Sequence, residues 1–268
     1  MKIHRVLALL LLMASSAFAQ AYAERMVEAT FKVFNEKSTA TGFVLKTEDG
    51  RQFLVSAAHV FEKMSGEKAI LVSRTERDEV FNRKDIEIRV RKGERPLWFR
   101  HAKQDVAVLE LDLPDDSGVL ALPDSVLATD GAMRSKEFTV GTDVLVFGFP
   151  TRFEVNGAGF PVCRRGAVAS FPILPMSKNS TMIIDFTTFE GDSGGPVFIR
   201  NGDQPMVVGL VASQFWHTEN LKTFNTKQTI NHSLGLATIA QASVIRQTLD
   251  MAIKKGEKRG RERRREER

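Results

Sequence analysis

The chain has 268 residues, 38 Lys or Arg against 33 Asp or Glu, a formal net charge of +5, and one cysteine, Cys163. A single thiol excludes an internal disulfide framework, so the fold must rest on an apolar core, for which this length is ample. Nine basic and four acidic residues fall in 254–268, so the basic excess belongs to the carboxyl end and gives no reason to expect nucleic-acid binding by the body.

At the amino terminus, Lys2 and Arg5 precede the apolar run Val6 to Met13, and Ala17-Phe18-Ala19 stands before Gln20. This is the layout of a secretory signal peptide over residues 1–19 with an Ala-x-Ala cleavage site, and Ala21-Tyr22-Ala23 offers a second one. The apolar run is much shorter than the roughly 20 residues a membrane-spanning helix needs. A periplasmic or secreted location is the expectation.

Short β-branched and aromatic runs follow, separated by glycines, prolines and polar clusters, which is an all-β pattern. Phe43-Val44-Leu45 and Phe53-Leu54-Val55 flank Glu48-Asp49-Gly50, a hairpin signal. The second of these strands runs into Ser56-Ala57-Ala58-His59, where small residues leave the imidazole room. Residues 73–84 are so highly charged that they read as an exposed loop. Asp105 heads an apolar run, Val106 to Leu111, with the alternation of a half-buried strand, which would hold the carboxylate at a strand edge. Residues 114–124 end that strand and begin a crossing to a second half that opens near Val140. Residues 151–165, containing Asn156-Gly157-Ala158-Gly159, read as a loop, and Cys163 within them as a small packed residue.

The hexapeptide Gly191-Asp192-Ser193-Gly194-Gly195-Pro196 sets a hydroxyl among backbone amides that little side-chain bulk obscures. A serine nucleophile needs a base, and the base needs a third group to fix its tautomer and orientation. His59 and Asp105 are the candidates. Taken singly, each has a plainer reading as a packed histidine, a turn aspartate or a β-turn. Together, in the order His59, Asp105, Ser193, they point to acyl transfer.

Apolar residues at 244, 245, 248/249 and 252/253 have amphipathic helix spacing. Beyond them, residues 256–268 contain almost nothing apolar and read as a solvated basic tail, with contact to an anionic surface as the sharper alternative. His101, His217 and His232 show no spacing that would build a metal site and read as surface or structural residues. No phosphate-cradling loop, heptad seam or internal repeat appears.

On the three motifs around His59, Asp105 and Ser193, the chain resembles the trypsin-like (chymotrypsin-fold) serine peptidases, and among them the compact bacterial, HtrA-like branch. Ala40-Thr41-Gly42-Phe43-Val44-Leu45, Val146-Phe147-Gly148-Phe149-Pro150, Gly166-Ala167-Val168-Ala169-Ser170, Val208-Gly209-Leu210-Val211 and Gly235-Leu236-Ala237-Thr238-Ile239 extend the likeness. The resemblance implies an all-β fold of two six-stranded antiparallel barrels, about 27–115 and 138–240, followed by a helix over about 241–255 and a disordered tail at 256–268. No peptide-binding PDZ domain is expected after the helix.

The same resemblance implies a His59, Asp105, Ser193 triad and an oxyanion hole formed by the amides of Gly191 and Ser193. It places Thr187 at the floor of the primary pocket, Thr188 beside it, and Ala212, Ser213 and Gln214 along its wall. With no charge at Thr187, small or medium apolar residues are the expected preference. Nothing before the first strand matches the Ile-Val-Gly-Gly terminus that pairs with the aspartate before the serine in digestive relatives, so Asp192 must find another partner or stay near solvent. Protein or peptide substrates and no cofactor or metal are implied. The competing reading is a catalytically silent binding protein on a protease fold.

Overall fold

The computed structural model describes residues 22–222 and 226–266, with side chains to 256. The leader expected over 1–19 lies outside the described residues, as do the side chains of most of the expected tail. A short helix, α1 (22–28), precedes the first half. This comprises β1 (Thr30–Phe34), β2 (Thr39–Lys46), β3 (Gln52–Ser56), α2 (Ala58–Lys63), β4 (Lys68–Arg77), β5 (Val80–Arg89), β6 (Arg91–Lys92), β7 (Arg95–Pro96), β8 (Phe99–Arg100) and β9 (Ala107–Leu111). β10 (Leu122–Pro123) and α3 (Asp130–Ser135) lie in the crossing. The second half holds β11 (Asp143–Gly148), β12 (Val162–Val168), β13 (Thr181–Asp185), β14 (Pro196–Asn201), β15 (Gln204–Lys222) and β16 (Lys227–Gln241), and α4 (Ala242–Glu266) ends the described chain.

The second half closes as a six-stranded barrel in the order β11-β12-β13-β16-β15-β14. Strand pairing in the first half runs β5-β4-β1-β2-β3-β9-β8, with β10 beside β2, and does not join its ends. At one end of this path only Ile86 and Ile88 of β5 are buried, and at the other β8 is two residues long. Phe31, Phe43, Phe53, Leu54 and Leu71 fill the first half and Phe149 and Phe198 the second, all with essentially no exposure.

Three stretches depart from the sequence expectations. Residues 73–84 form the paired ends of β4 and β5, joined by Asp78 and Glu79 at φ 52° and 61°. Two consecutive left-handed residues make a type I′ hairpin turn. Part of the expected loop at 151–165 is strand, because β12 begins at Val162 and pairs along β11. The backbone of α4 stays helical through Glu266, across most of the stretch expected to be a disordered tail. Lys, Arg and Glu are good helix formers, and the packed start of α4 removes the nucleation cost.

Candidate active site

β3 ends at Ser56, and extended Ala57 turns the chain into α2, so His59 stands in the first turn of a short helix at the sheet's end. Asp105 stands two residues before β9, the strand paired with β3. Its Oδ1 accepts from the His59 backbone N–H at 2.9 Å, and its Oδ2 lies 2.5 Å from His59 Nδ1. The carboxylate therefore fixes the tautomer, with the proton on Nδ1 and the lone pair of Nε2 facing Ser193 Oγ at 3.0 Å. Burial pushes the Asp105 carboxyl up, but the hydrogen bond and charge of His59 and the nearby backbone amides outweigh it and hold the group below its ordinary value.

The turn that carries Asp105 is organised by His101. Lys103 N and Gln104 N donate to His101 Nδ1 at 3.2 and 3.0 Å, which places the ring proton on Nε2, 3.3 Å from Gln247 Oε1 on α4. Gln104 Nε2 also donates to Ser180 Oγ at 2.7 Å, tying the turn to the second half.

Ser193 lies in the connection from β13 to β14, where Gly191 and Gly194 adopt φ 99° and 84°. A Cβ at Gly191 would come within 2.2 Å of Phe149 O, and one at Gly194 within 2.1 Å of Ser56 Oγ. Only glycine fits either position. Buried Thr41 on β2 fastens this loop from the other half: its N–H donates to Ser193 O at 3.0 Å, and its hydroxyl donates to Gly191 O at 2.7 Å while accepting from Phe149 N at 3.2 Å. Among the described residues, the N–H groups of Gly191 and Ser193 have no acceptor, so both remain available for a developing oxyanion.

Asp192 has no solvent exposure. Its Oδ2 accepts from Phe189 N at 2.7 Å, and its Oδ1 forms an ion pair with Arg164 Nη2. Arg164 projects from β12, stacks 4.5 Å from the Phe186 ring, and donates through Nη1 to Thr187 O at 3.0 Å. Burial raises the Asp192 carboxyl above its ordinary value, with Arg164 and the Phe189 amide working against it. The partner that the sequence left unnamed is thus an internal cation.

A cleft of about 590 Å³ opens beside His59, Asp105 and Ser193. Thr188, Ala212, Ser213 and Gln214 line it, and Thr188 Oγ1 donates to Gln214 Oε1 at 2.7 Å. Thr187 does not line it: the side chain is exposed elsewhere, and its carbonyl serves Arg164. Strand alternation accounts for this, since the chain leaving β13 turns buried Phe186 and Thr188 to one side and Thr187 to the other. Phe189 and Trp216, missed in the sequence, supply apolar surface to the cleft. No group of three or more His, Cys, Asp or Glu is placed to hold a metal ion among the described residues.

A family model described as trypsin-like peptidase domain matches residues 40–210. Among curated protein sequences nothing matches. Among solved structures, the chain is similar to the protease Anisep from Arthrobacter nicotinovorans, at 14% identity over 85% of this chain and 96% of that one, with a TM-score of 0.51. Rv3671c from M. tuberculosis, in an inactive form, aligns at 16% identity over 85% of this chain and 87% of its own, with a TM-score of 0.45.

Proposed function

The chain belongs to the trypsin-like peptidase family, and on that premise we propose that it is a periplasmic or secreted endopeptidase working through His59, Asp105 and Ser193. The observation that carries the reading is the unbroken path from Asp105 Oδ2 to His59 Nδ1 at 2.5 Å and from His59 Nε2 to Ser193 Oγ at 3.0 Å. In the first step Ser193 Oγ bonds to the scissile carbonyl carbon while His59 Nε2 takes its proton. Asp105, held ionised, stabilises the imidazolium. Negative charge gathers on the carbonyl oxygen, where the free amides of Gly191 and Ser193 supply donors. Collapse of the tetrahedral intermediate breaks the C–N bond as His59 returns the proton to the departing amine, leaving an acyl group on Ser193. Water, deprotonated by His59, releases it by the reverse sequence.

Export is proposed from the basic, apolar and Ala-x-Ala layout of residues 1–19, and the mass of the mature amino terminus checks it. The wall of Ala212 and Ser213, with Thr188 and Gln214 satisfying each other, supports small or medium apolar residues on the acyl side of the scissile bond. A serine-reactive fluorophosphonate is expected to label the protein but not Ser193→Ala, and a peptide library to give cleavage after such residues. Wild-type protein that neither labels nor cleaves any unfolded polypeptide would reject the enzyme in favour of a silent binding protein. Dominant cleavage after Arg, Lys or Glu would reject the preference alone.

A further inference from the structure

The cleft beside Ser193 is electrically uneven. Apart from Asp105 and His59, which are paired with each other, its charged lining is Lys37 and Lys63 from the first half and Glu190 from the second. Gly191, Ser193 and the wall of Ala212, Ser213 and Gln214 also come from the second half, so the acyl part of a substrate lies there. His59, which returns the proton to the departing amine, stands on the first half. The departing chain therefore crosses the first half's share of the lining, which is Lys37, Ser38, Thr39, Val60 and Lys63.

Surface lysines ordinarily answer a nearby carboxylate, and these two do not. Among the described residues the lysines in ion pairs are Lys32, Lys68 and Lys84. The acids next to Lys37 and Lys63 in the chain are engaged or turned elsewhere: Glu62 pairs with Arg100, Glu67 accepts from Gly93 N at 2.5 Å, and Glu36 lines a separate cavity with Lys68. Both cations are also held in place by their backbones. Asn35 Oδ1 accepts from the N–H groups of Lys37 and Ser38 at 3.0 and 2.9 Å, and its Nδ2 donates to Ser65 O at 2.9 Å, two residues beyond Lys63. The turn carrying Lys37 is thus fastened to the end of α2. On α2 itself, Lys63 follows His59 by four residues, so both share one face, with Lys63 one turn and about 6 Å further along.

We propose that Lys37 and Lys63 select substrates carrying Asp or Glu within the first three residues after the scissile bond. The inference rests on the peptidase reading and deepens it by naming a substrate class: polypeptides cut just ahead of an acidic stretch. An extended chain advances about 3.3–3.6 Å per residue, so the second residue beyond the bond already comes level with Lys63. Ammonium groups on flexible stems act as point charges with adjustable reach, which reads the sign of the departing segment without fixing one position or one side-chain shape. Ser38 and Thr39, buried beside Lys37, add no charge of their own. The selection is one-sided, because the cation-lined end gives way to Glu190 where the acyl part lies.

The test measures kcat/KM for peptides with one constant acyl side and Glu, Gln or Lys at the second and third positions after the scissile bond. Exposed charge pairs are individually modest, so two lysines predict an advantage of about three- to tenfold for Glu over Gln, with Lys the slowest. At 1 M NaCl, where the screening length falls to about 3 Å, the three rates should converge. Glu moved to the third position before the bond should bring no gain. In the double variant Lys37→Glu/Lys63→Glu the order should reverse, and a gain for the Lys peptide over wild type cannot come from damaged folding. Equal rates for the three peptides in low salt sink the subsite and leave the peptidase reading standing. A Glu preference that survives 1 M NaCl or the double variant, or that appears equally on the acyl side, assigns the effect to other groups and overturns the proposal. No cleavage of any peptide and no fluorophosphonate labelling sink both readings.

Discussion

At the residue scale, Asp192 presents the sharpest electrostatic problem, because it is a carboxylate without solvent contact immediately before Ser193. Arg164 solves it from a strand that the sequence gives no reason to place there. The missing activation terminus left Asp192 either a partner to find or a place near solvent, and Arg164 and Arg165 look alike in the sequence. The pleat sends Arg165 outward to Asp143 and Arg164 inward to Asp192. Removing the partner of a buried charge costs about 3–5 kcal/mol, so Arg164→Gln should be markedly less stable and slower to label at Ser193. The pH dependence has a definite sign. The folded-state value of Asp192 lies above 3.8, so its contribution to stability is full below the unfolded value and is lost as pH rises through the folded one. Without Arg164 the carboxyl climbs further, and the deficit of the variant relative to wild type should widen between pH 4 and pH 8. Urea unfolding across that range reads it, and an equal deficit at every pH would exclude the ion pair as its source. Asp105 has the opposite sign: its lowered value contributes stability above 3.8 that is lost as pH falls through the folded value.

At the scale of elements, His59, Asp105 and Ser193 are carried by short connections that strands and α4 hold in place. The strand that follows Asp105 was legible from its alternating apolar residues, as was the amphipathic start of α4, whose Val244, Ile245 and Leu249 are buried. The turn between β8 and β9 was not, because its organiser is the ring nitrogen of a histidine that reads as an ordinary surface or structural residue. The β4–β5 hairpin was missed for a related reason: Asp78-Glu79 takes two left-handed residues without the glycine that usually announces such a turn. Since His101 Nδ1 receives the amides of Lys103 and Gln104, His101→Leu should let Asp105 shift from the imidazole. A drop in kcat of roughly tenfold is expected with KM little changed. His101→Asn should retain most of the rate, because an asparagine side-chain oxygen accepts from the backbone N–H two residues on. Steady-state kinetics on the two variants, alongside thermal unfolding, distinguish this from a general loss of stability, which would lower both variants together.

For the whole molecule, the site exists only where two halves meet, with His59 and Asp105 on the open sheet and Ser193 on the closed barrel. Motif order made that assembly legible, while the fastenings that set its geometry are contacts between residues far apart in the chain. Glu154 accepts from Lys32 at 3.2 Å and from Arg83 at 2.9 Å, joining β1 and β5 to the segment after β11. Arg74, whose value burial lowers to about 10, remains charged at neutral pH and donates to the carbonyls of Thr30 and Gly159 at 2.8 and 2.9 Å. Thr41 lies nearest Ser193, since one residue holds the carbonyls of both Gly191 and Ser193, whose amides are the proposed oxyanion donors. Thr41→Val preserves shape and removes the hydroxyl, leaving Phe149 N–H and Gly191 O short of a buried partner at a cost of about 1–3 kcal/mol. A protein stable by about 5–15 kcal/mol stays folded through that loss. An oxyanion donor is worth about a hundredfold or more in rate, so displacement of Gly191 should slow fluorophosphonate labelling by between tenfold and a hundredfold. Thr41→Ser, which restores the hydroxyl but not the methyl group, should recover most of the rate. Labelling of folded Thr41→Val at the wild-type rate would mean that the loop holds its shape from the second half alone.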